Sequence, residues 1–338
     1  MKYISINAPR QVEILEKPAP KPGNGEALLK MRYGGICGTD LNMYRGAFAY
    51  GAYPRVPGHE ISAEIVEIGE NDRGLKSGML VTANPYFNCG KCYSCRRGLV
   101  NCCTSNETLG AQRDGAYLQY FTLPVERIYD GKGLSAKTLA LIEPFCISYH
   151  GAKRGSIQAG DKVLVVGSGT IGILAAAAAK HLGAEVTVCD ISEKRLKFAL
   201  ALGADGVIVN NGPEALAEGT VERTGGNGFD VVLEAVGLPS TFQDSLDSAA
   251  FGGRVVLIGI SNRNLDFNFN IIQKKELNVF GSRNALREDF LELIDLVGRG
   301  TLKVDEIITH IYPFEKAGAA LADLDRNQGD MLKVLLEF

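Results

Sequence analysis

The chain has 338 residues, enough for two domains that each bury a core, and its 46% hydrophobic and 22% charged residues are those of a globular protein. A formal net charge of −3 offers no attraction to nucleic acid or to an anionic membrane surface. No apolar run approaches the roughly 18 residues of a membrane span, and Met1–Leu15 lacks the apolar stretch and cleavage site of a secretory leader, so a cytoplasmic location is expected.

From Met1 to about Cys146 the sequence is rich in Gly, Pro and short runs such as Glu26-Ala-Leu-Leu-Lys-Met-Arg and Ile61-Ser-Ala-Glu-Ile-Val-Glu-Ile. Partial alternation of apolar and polar residues between turn signals predicts an irregular, barrel-like β domain. From about Ile147 to Ala285 the pattern changes to strand, helix, strand, helix. Apolar runs at Val163–Val166, Val186–Cys189, Val207–Val209, Val231–Leu233, Val255–Ile258 and Leu277–Phe280 read as strands, with helices at Thr170–His181, Ser192–Leu202 and Ser240–Ala250 between them. This alternation, with strands apolar throughout, predicts a parallel sheet covered on both faces. A helix near Glu288–Gly298 and a strand at Leu332–Phe338 end the chain and are expected to return to the first domain.

Lys162-Val-Leu-Val-Val runs into Gly167-Ser-Gly169-Thr170-Ile171-Gly172 and then into an alanine-rich helix. Glycines at this spacing are informative because they sit between a predicted strand and a predicted helix. Gly167 would allow the tight turn and Gly169 close approach of backbone to a pyrophosphate at the helix start, around Thr170 and Ile171. Gly172 would let helix and strand pack. The next strand ends in Asp190, eighteen residues after Gly172. A carboxylate there accepts hydrogen bonds from ribose hydroxyls and repels the 2′-phosphate of NADP, so NAD is the expected cofactor. Arg195 follows the carboxylate and does not reverse that choice.

Eight cysteines in a cytosolic chain need an explanation other than disulfides. Cys89, Cys92, Cys95 and Cys103 give C-x2-C-x2-C-x7-C, with Cys102 competing for the last position. Four thiolates fill a tetrahedral zinc site, so this lobe, residues 85–105, should be structural and draw folding energy from the metal. Iron–sulfur ligation also suits thiolates. A hydride-transfer enzyme, however, needs no one-electron relay. Cys146 and Cys189 read as buried apolar residues.

Further donors are scattered: Cys37 in Gly-Ile-Cys-Gly-Thr-Asp, His59 and Glu60 in Pro-Gly-His-Glu, and Glu143 in Ile-Glu-Pro. Read singly, each fits a structural role. Taken in order with the cysteine lobe and the glycine turn, they make the chain resemble the zinc-containing medium-chain alcohol dehydrogenases over essentially its whole length. The glutamate at 143, where liver-type enzymes carry a cysteine, resembles the polyol and threonine dehydrogenase branch. Tyr53-Pro-Arg-Val-Pro-Gly-His-Glu, Leu141-Ile-Glu-Pro-Phe and Gly281-Ser-Arg-Asn-Ala are similar to bacterial L-galactonate, L-gulonate and L-idonate 5-dehydrogenases and to a starvation-sensing relative of them.

The resemblance implies an α/β protein with a GroES-like β-rich catalytic domain, residues 1–146 and 286–338, and a doubly wound Rossmann domain, residues 147–285. It implies two zinc ions per subunit, the catalytic one held by Cys37, His59 and Glu60, with Glu143 a ligand or a water-bridged neighbour that exchanges with Glu60. Thr39 matches the hydroxyl that carries the proton from the reacting oxygen, while Asn42 stands where many relatives end that relay in a histidine. The expected reaction is NAD-linked oxidation of a secondary alcohol to a ketone, on a sugar acid or polyol, by a homodimer or homotetramer. Arg113 and Arg283 are candidate contacts for a substrate carboxylate. A threonine-type amino alcohol dehydrogenase and an idle NAD(H)- and zinc-binding starvation regulator are the alternatives. An intact Cys37, Thr39, His59 and Glu60 argues against the regulator.

Overall fold

The structure, a computed structural model, describes residues 1–47, 52–327 and 329–338. They form two compact units, Met1–Glu143 with Leu286–Phe338, and Pro144–Ala285. The division falls inside the helix Ile142–Arg154, just ahead of the boundary expected after Cys146.

The first unit is built on a seven-stranded sheet. Its long central strand, Glu26–Ile36, pairs antiparallel with Glu60–Ile68 on one side and with the C-terminal strand Lys333–Glu337 and Tyr120–Pro124 on the other. Residues of Glu26–Ile36 alternate in burial, with Ala27, Leu29 and Met31 fully enclosed, as a strand with one packed face requires. Around them Ile4, Ile6, Ile61, Ile65, Val81 and Leu336 make the core. Pairing of Val334 with Ile36 brings the last strand of the chain into the sheet that holds Glu26–Ile36.

The second unit holds six parallel strands in the spatial order Gly206–Val209, Glu185–Asp190, Lys162–Val166, Phe229–Glu234, Ala249–Leu257, Asn278–Gly281. Val163, Leu164 and Val165 have no exposed surface, which fits a strand covered on both faces. The first strand of this unit, Lys162–Val166, lies in the middle, two successors fall to one side and three to the other. The order therefore reverses beside Lys162–Val166, the place where doubly wound sheets bind ligands.

Two details differ from expectation. The helix read as Ser240–Ala250 spans Pro239–Ser248, and Ala249 instead opens the next strand, extended at ψ 143°. Ala249 pairs with Phe229 and is buried, so sheet burial outweighs the helical preference of alanine there. A further helix, Pro213–Thr224, connects Gly206–Val209 to Phe229–Glu234; its mostly polar sequence hid it, although Pro at its first turn marks its start.

Candidate functional site

In the second unit the glycine turn follows strand Lys162–Val166 and leads into helix Thr170–His181, at the reversal point of the sheet. Gly167 has φ +98°, and a Cβ on it would come within 2.5 Å of Val236 Cγ2. A Cβ on Gly172 would lie 1.8 Å from the Gly167 carbonyl oxygen, so the helix seats on its own turn only with glycine there. A Cβ on Gly169 would meet nothing, so that face of the turn is open, as close approach of a ligand requires. Asp190 ends the neighbouring strand, and its carboxylate accepts hydrogen bonds from the amides of Ser168 and Ser192 at 2.7 and 2.8 Å. Thr170 and Ile171 are half-buried in the first turn of the helix. The half-buried Arg195 lies in the helix Glu193–Ala201, whose N-terminus is capped by Ser192 Oγ accepting from the Arg195 amide. These residues fit a dinucleotide.

In the first unit the Sγ atoms of Cys89, Cys92, Cys95 and Cys103 all lie within 4.8 Å of one another. Thiolates on a tetrahedral zinc with bonds of about 2.3 Å stand about 3.8 Å apart, and Cys92 and Cys103 are at 4.0 Å. Backbone amides already point at the sulfurs: Cys89 N donates to Cys103 Sγ at 3.2 Å and Cys92 N to Cys89 Sγ at 3.3 Å. Hydrogen bonds from Cys95 and Thr104 hold the Cys92 thiol down to about 5. Cys102, the rival fourth ligand, is exposed and outside the cluster, whereas Cys103 is buried in it. The donor set suits a closed zinc site.

A second cluster joins Cys37 and His59 with Asp40. Cys37 caps the helix Gly38–Arg45: its Sγ accepts from the Thr39 amide at 3.1 Å, and its own amide donates to Asp40 Oδ2 at 3.0 Å. Asp40 Oδ1 accepts from the Gly58 amide at 3.2 Å, so one buried carboxylate ties the Cys37 turn to the residue before His59. With its oxygens so engaged, Asp40 reads as a clamp on the two donor segments.

Glu60 and Glu143 are buried but lie outside this cluster. Glu60 holds Lys333, whose Nζ stands 2.6 and 2.7 Å from its two carboxylate oxygens. Glu143 Oε1 accepts a hydrogen bond from the buried Tyr86 hydroxyl. Burial pushes the Glu143 carboxyl up to about 7, while the nearby His59 opposes that rise. Burial also raises the Cys37 thiol, and Asp40 raises it further. Burial alone would lower the pKa of His59, but Cys37, Asp40 and Glu143 lift it well above the usual imidazole value.

Asp40, Glu60 and Glu143 are buried near Cys37 and His59, and Glu60 is paired with Lys333. His59 also keeps a buried Nδ1 with no partner among the described residues. A soft sulfur, an imidazole and two nearby carboxylates fit a divalent zinc ion.

Thr39 is half-buried beside Cys37, and Asn42 is exposed one turn further along the same helix. Arg113 stacks on Phe87 at 4.0 Å and pairs with the exposed Glu107 at 3.7 Å, so its guanidinium has partners of its own. Arg283 is exposed after the strand Asn278–Gly281. Asp40, Tyr86 and Lys333 were missed from sequence. Lys333 did leave a signal: a lone charge inside the otherwise apolar Met331-Leu-Lys-Val-Leu-Leu.

Comparison with known proteins identifies the class. Residues 23–132 match the alcohol dehydrogenase GroES-like domain, and residues 170–299 match the zinc-binding dehydrogenase family. L-galactonate-5-dehydrogenase of Escherichia coli K12 is 35% identical over 338 residues, covering 100% of this chain and 99% of that protein. L-threonine 3-dehydrogenase of Pyrococcus furiosus is 36% identical over 308 residues, covering 89% of this chain and 88% of its own. Among solved structures, an alcohol dehydrogenase (rspB) of Escherichia coli CFT073 complexed with NADH superposes with a TM-score of 0.92 at 33% identity, covering 100% of this chain and 99% of that one. The chain belongs to the zinc-type medium-chain alcohol dehydrogenase family and is an oxidoreductase with that family's GroES-like and Rossmann-like fold.

Proposed function

We infer that this protein oxidises a secondary alcohol of a sugar acid or polyol to a ketone, with zinc and NAD as cofactors. The observation that carries this reading is the convergence of Cys37 and His59, with donor atoms within 4.8 Å of one another, beside the buried carboxylates of Glu60 and Glu143. The reaction consumes the alcohol and NAD⁺ and yields the ketone, NADH and a proton. When bound, zinc would favour loss of the hydroxyl proton from an alcohol whose free pKa is near that of water, roughly 16, and NAD would accept the hydride from carbon.

Cys37 and His59 would hold the catalytic metal, with Glu60 and Glu143 the carboxylates available to complete its surroundings. Thr39 Oγ1 would take the hydroxyl proton and pass it on. An asparagine cannot accept a proton, so Asn42 does not end the relay, and the proton leaves by way of ribose or water. Gly167, Gly169, Thr170, Ile171 and Gly172 would cradle the pyrophosphate, and Asp190 would take the adenosine ribose and disfavour NADP. Cys89, Cys92, Cys95 and Cys103 would hold the structural zinc.

The similarity to L-galactonate-5-dehydrogenase supports a hexonate, and the similarity to L-threonine 3-dehydrogenase keeps an amino alcohol as the second reading. The enzyme acts in the cytoplasm as a homodimer or homotetramer. The strand Asn278–Gly281 lies at the edge of its sheet, where a second copy could add, and no described helix is long and apolar enough to cross a membrane. NADH formation measured with hexonates, pentitols and L-threonine tests the substrate. Turnover of a hexonate or polyol above threonine is expected, and turnover confined to threonine would replace the first reading with the second.

A further inference from the structure

Glu234 ends the strand Phe229–Glu234, which neighbours Lys162–Val166 on the side away from Asp190, and it is 2% exposed. Its carboxylate is engaged by neutral donors. Oε1 accepts from the Val236 amide at 2.9 Å, the Gly237 amide at 2.8 Å and the Thr241 hydroxyl at 2.7 Å. One oxygen thus folds the chain after the strand into a hook that leads into the helix Pro239–Ser248. The main-chain carbonyl of Glu234 accepts from the Ile258 and Gly259 amides at 2.8 and 3.0 Å, so the same residue holds the turn that follows Ala249–Leu257. The two turns leave no room for side chains between them. A Cβ on Gly237, at φ +80°, would fall 2.4 Å from the Ile260 carbonyl oxygen. One on Gly259 would fall 2.2 Å from the Gly237 nitrogen and 2.6 Å from Glu234 Oε2. The hook also bears on the glycine turn, where a Cβ on Gly167 would meet Val236 Cγ2 at 2.5 Å. Val236, Leu238 and Ile260 nevertheless stand on these turns with much of their apolar surface uncovered, at the end of the sheet where doubly wound folds take ligands.

A dinucleotide with its adenosine ribose at Asp190 and its pyrophosphate at the glycine turn crosses the reversal point of the sheet. Its second ribose and nicotinamide then come to the turns after Phe229–Glu234 and Ala249–Leu257. We propose that Glu234 is a positioning residue for the nicotinamide half of the cofactor, its buried carboxylate and its own carbonyl setting the two turns on which that half rests. The proposal rests on the dinucleotide reading above. Without the carboxylate, the Val236 and Gly237 amides lose their acceptor and the hook loosens, whereas Asp190 and the glycine turn keep the bond that joins them.

The test uses the full-length protein as wild type, Glu234→Ala, Glu234→Gln, Thr241→Val and Asp190→Ala. NADH is titrated by fluorescence and ADP by calorimetry. ADP carries the adenosine and two phosphates but lacks the second ribose and the nicotinamide, so it reports on Asp190 and the glycine turn alone. Glu234→Ala should weaken NADH about tenfold or more and ADP less than about twofold. Glu234→Gln keeps an acceptor oxygen and should bind both ligands nearly as wild type does. Equal losses of NADH and ADP in Glu234→Ala mark a merely structural carboxylate and overturn the proposal. Wild-type NADH affinity in that variant overturns it too, as does a glutamine variant as weak as the alanine one. Should Glu234→Ala not fold, Thr241→Val decides, since it removes one of the three donors and little volume. It should weaken NADH about threefold and leave ADP unchanged, whereas unchanged NADH affinity or an equal loss of ADP overturns the proposal. Asp190→Ala should weaken NADH and ADP alike, and if it spares both, the dinucleotide reading beneath the proposal fails instead.

Discussion

The Ser168 amide donates to Asp190 Oδ2 at 2.7 Å, so the glycine turn after one strand is fastened to the carboxylate that ends its neighbour. Asp190 Oδ1 takes the Ser192 amide at 2.8 Å, and each oxygen keeps a lone pair for a ligand hydroxyl. Asp190→Ala should therefore act twice. Removing the acceptor from two amides should cost about 1 kcal/mol each, read as a lower melting temperature. Removing a carboxylate that faces a phosphate should weaken NADH and relax discrimination against NADPH, read by fluorescence titration. An unchanged cofactor ratio would show that Asp190 does not meet the ribose.

Gly172→Ala places its Cβ 1.8 Å from the Gly167 carbonyl oxygen, a contact that backbone cannot absorb without moving. The helix start should shift from the turn, and NADH affinity should fall by tenfold or more, about 1.4 kcal/mol or more of binding free energy. Gly169→Ala, whose Cβ meets nothing, should fold as well as wild type, and any loss there should appear in NADH binding alone. Equal stability and equal affinity in both variants would remove the glycine turn from the cofactor site.

Those features were legible because they are local. A strand, three glycines and an acid within Lys162–Asp190 fix their own geometry through sequence spacing. The cysteine lobe is local too, although burial rather than spacing separates Cys103 from Cys102. The second cluster was legible only as fragments, because its assembly depends on register between distant strands. Lys333 is 273 residues from Glu60, and nothing near either residue announces the other. Asp40 was hidden differently: Cys-Gly-Thr-Asp reads as an ordinary helix start, and its carboxylate does cap that helix while also reaching Gly58.

Cys92→Ser should reduce thermal stability and soluble yield far more than turnover in the protein that folds. Closed zinc sites contribute folding energy, and the lobe carries little secondary structure beyond the single helical turns Tyr93–Arg96 and Val100–Cys102. Thermal unfolding followed beside kcat of the soluble fraction separates the two effects. A stable but inactive variant would move the lobe from structure to chemistry.

Metal analysis should find two zinc ions per chain in fully loaded protein. Brief chelation should remove one of them and abolish activity while circular dichroism stays unchanged, because an open site exchanges its metal and a four-thiolate site resists. Returned zinc should restore turnover. One zinc per chain, with fold and activity lost together, would leave room for the cysteine lobe alone.

Replacing individual donors should rank them. Cys37→Ser exchanges a soft thiolate for a weak neutral ligand and removes the sulfur that accepts from the Thr39 amide, so it should lower zinc content and turnover together. Glu143→Ala should retain more zinc than Cys37→Ser and lose turnover less severely, because the thiolate of Cys37 and the imidazole of His59 remain to hold the metal. That substitution also leaves the buried Tyr86 hydroxyl without its carboxylate, so a stability loss of about 1–3 kcal/mol should accompany it, and Glu143→Gln, which keeps an acceptor, should recover part of that loss. In both Cys37→Ser and Glu143→Ala, NADH should still titrate by fluorescence, because the glycine turn and Asp190 belong to the other unit of the chain. The primary effect therefore falls on metal occupancy and turnover, with cofactor affinity as the internal control. A Cys37→Ser protein with wild-type zinc content and wild-type alcohol oxidation would place the catalytic metal away from Cys37.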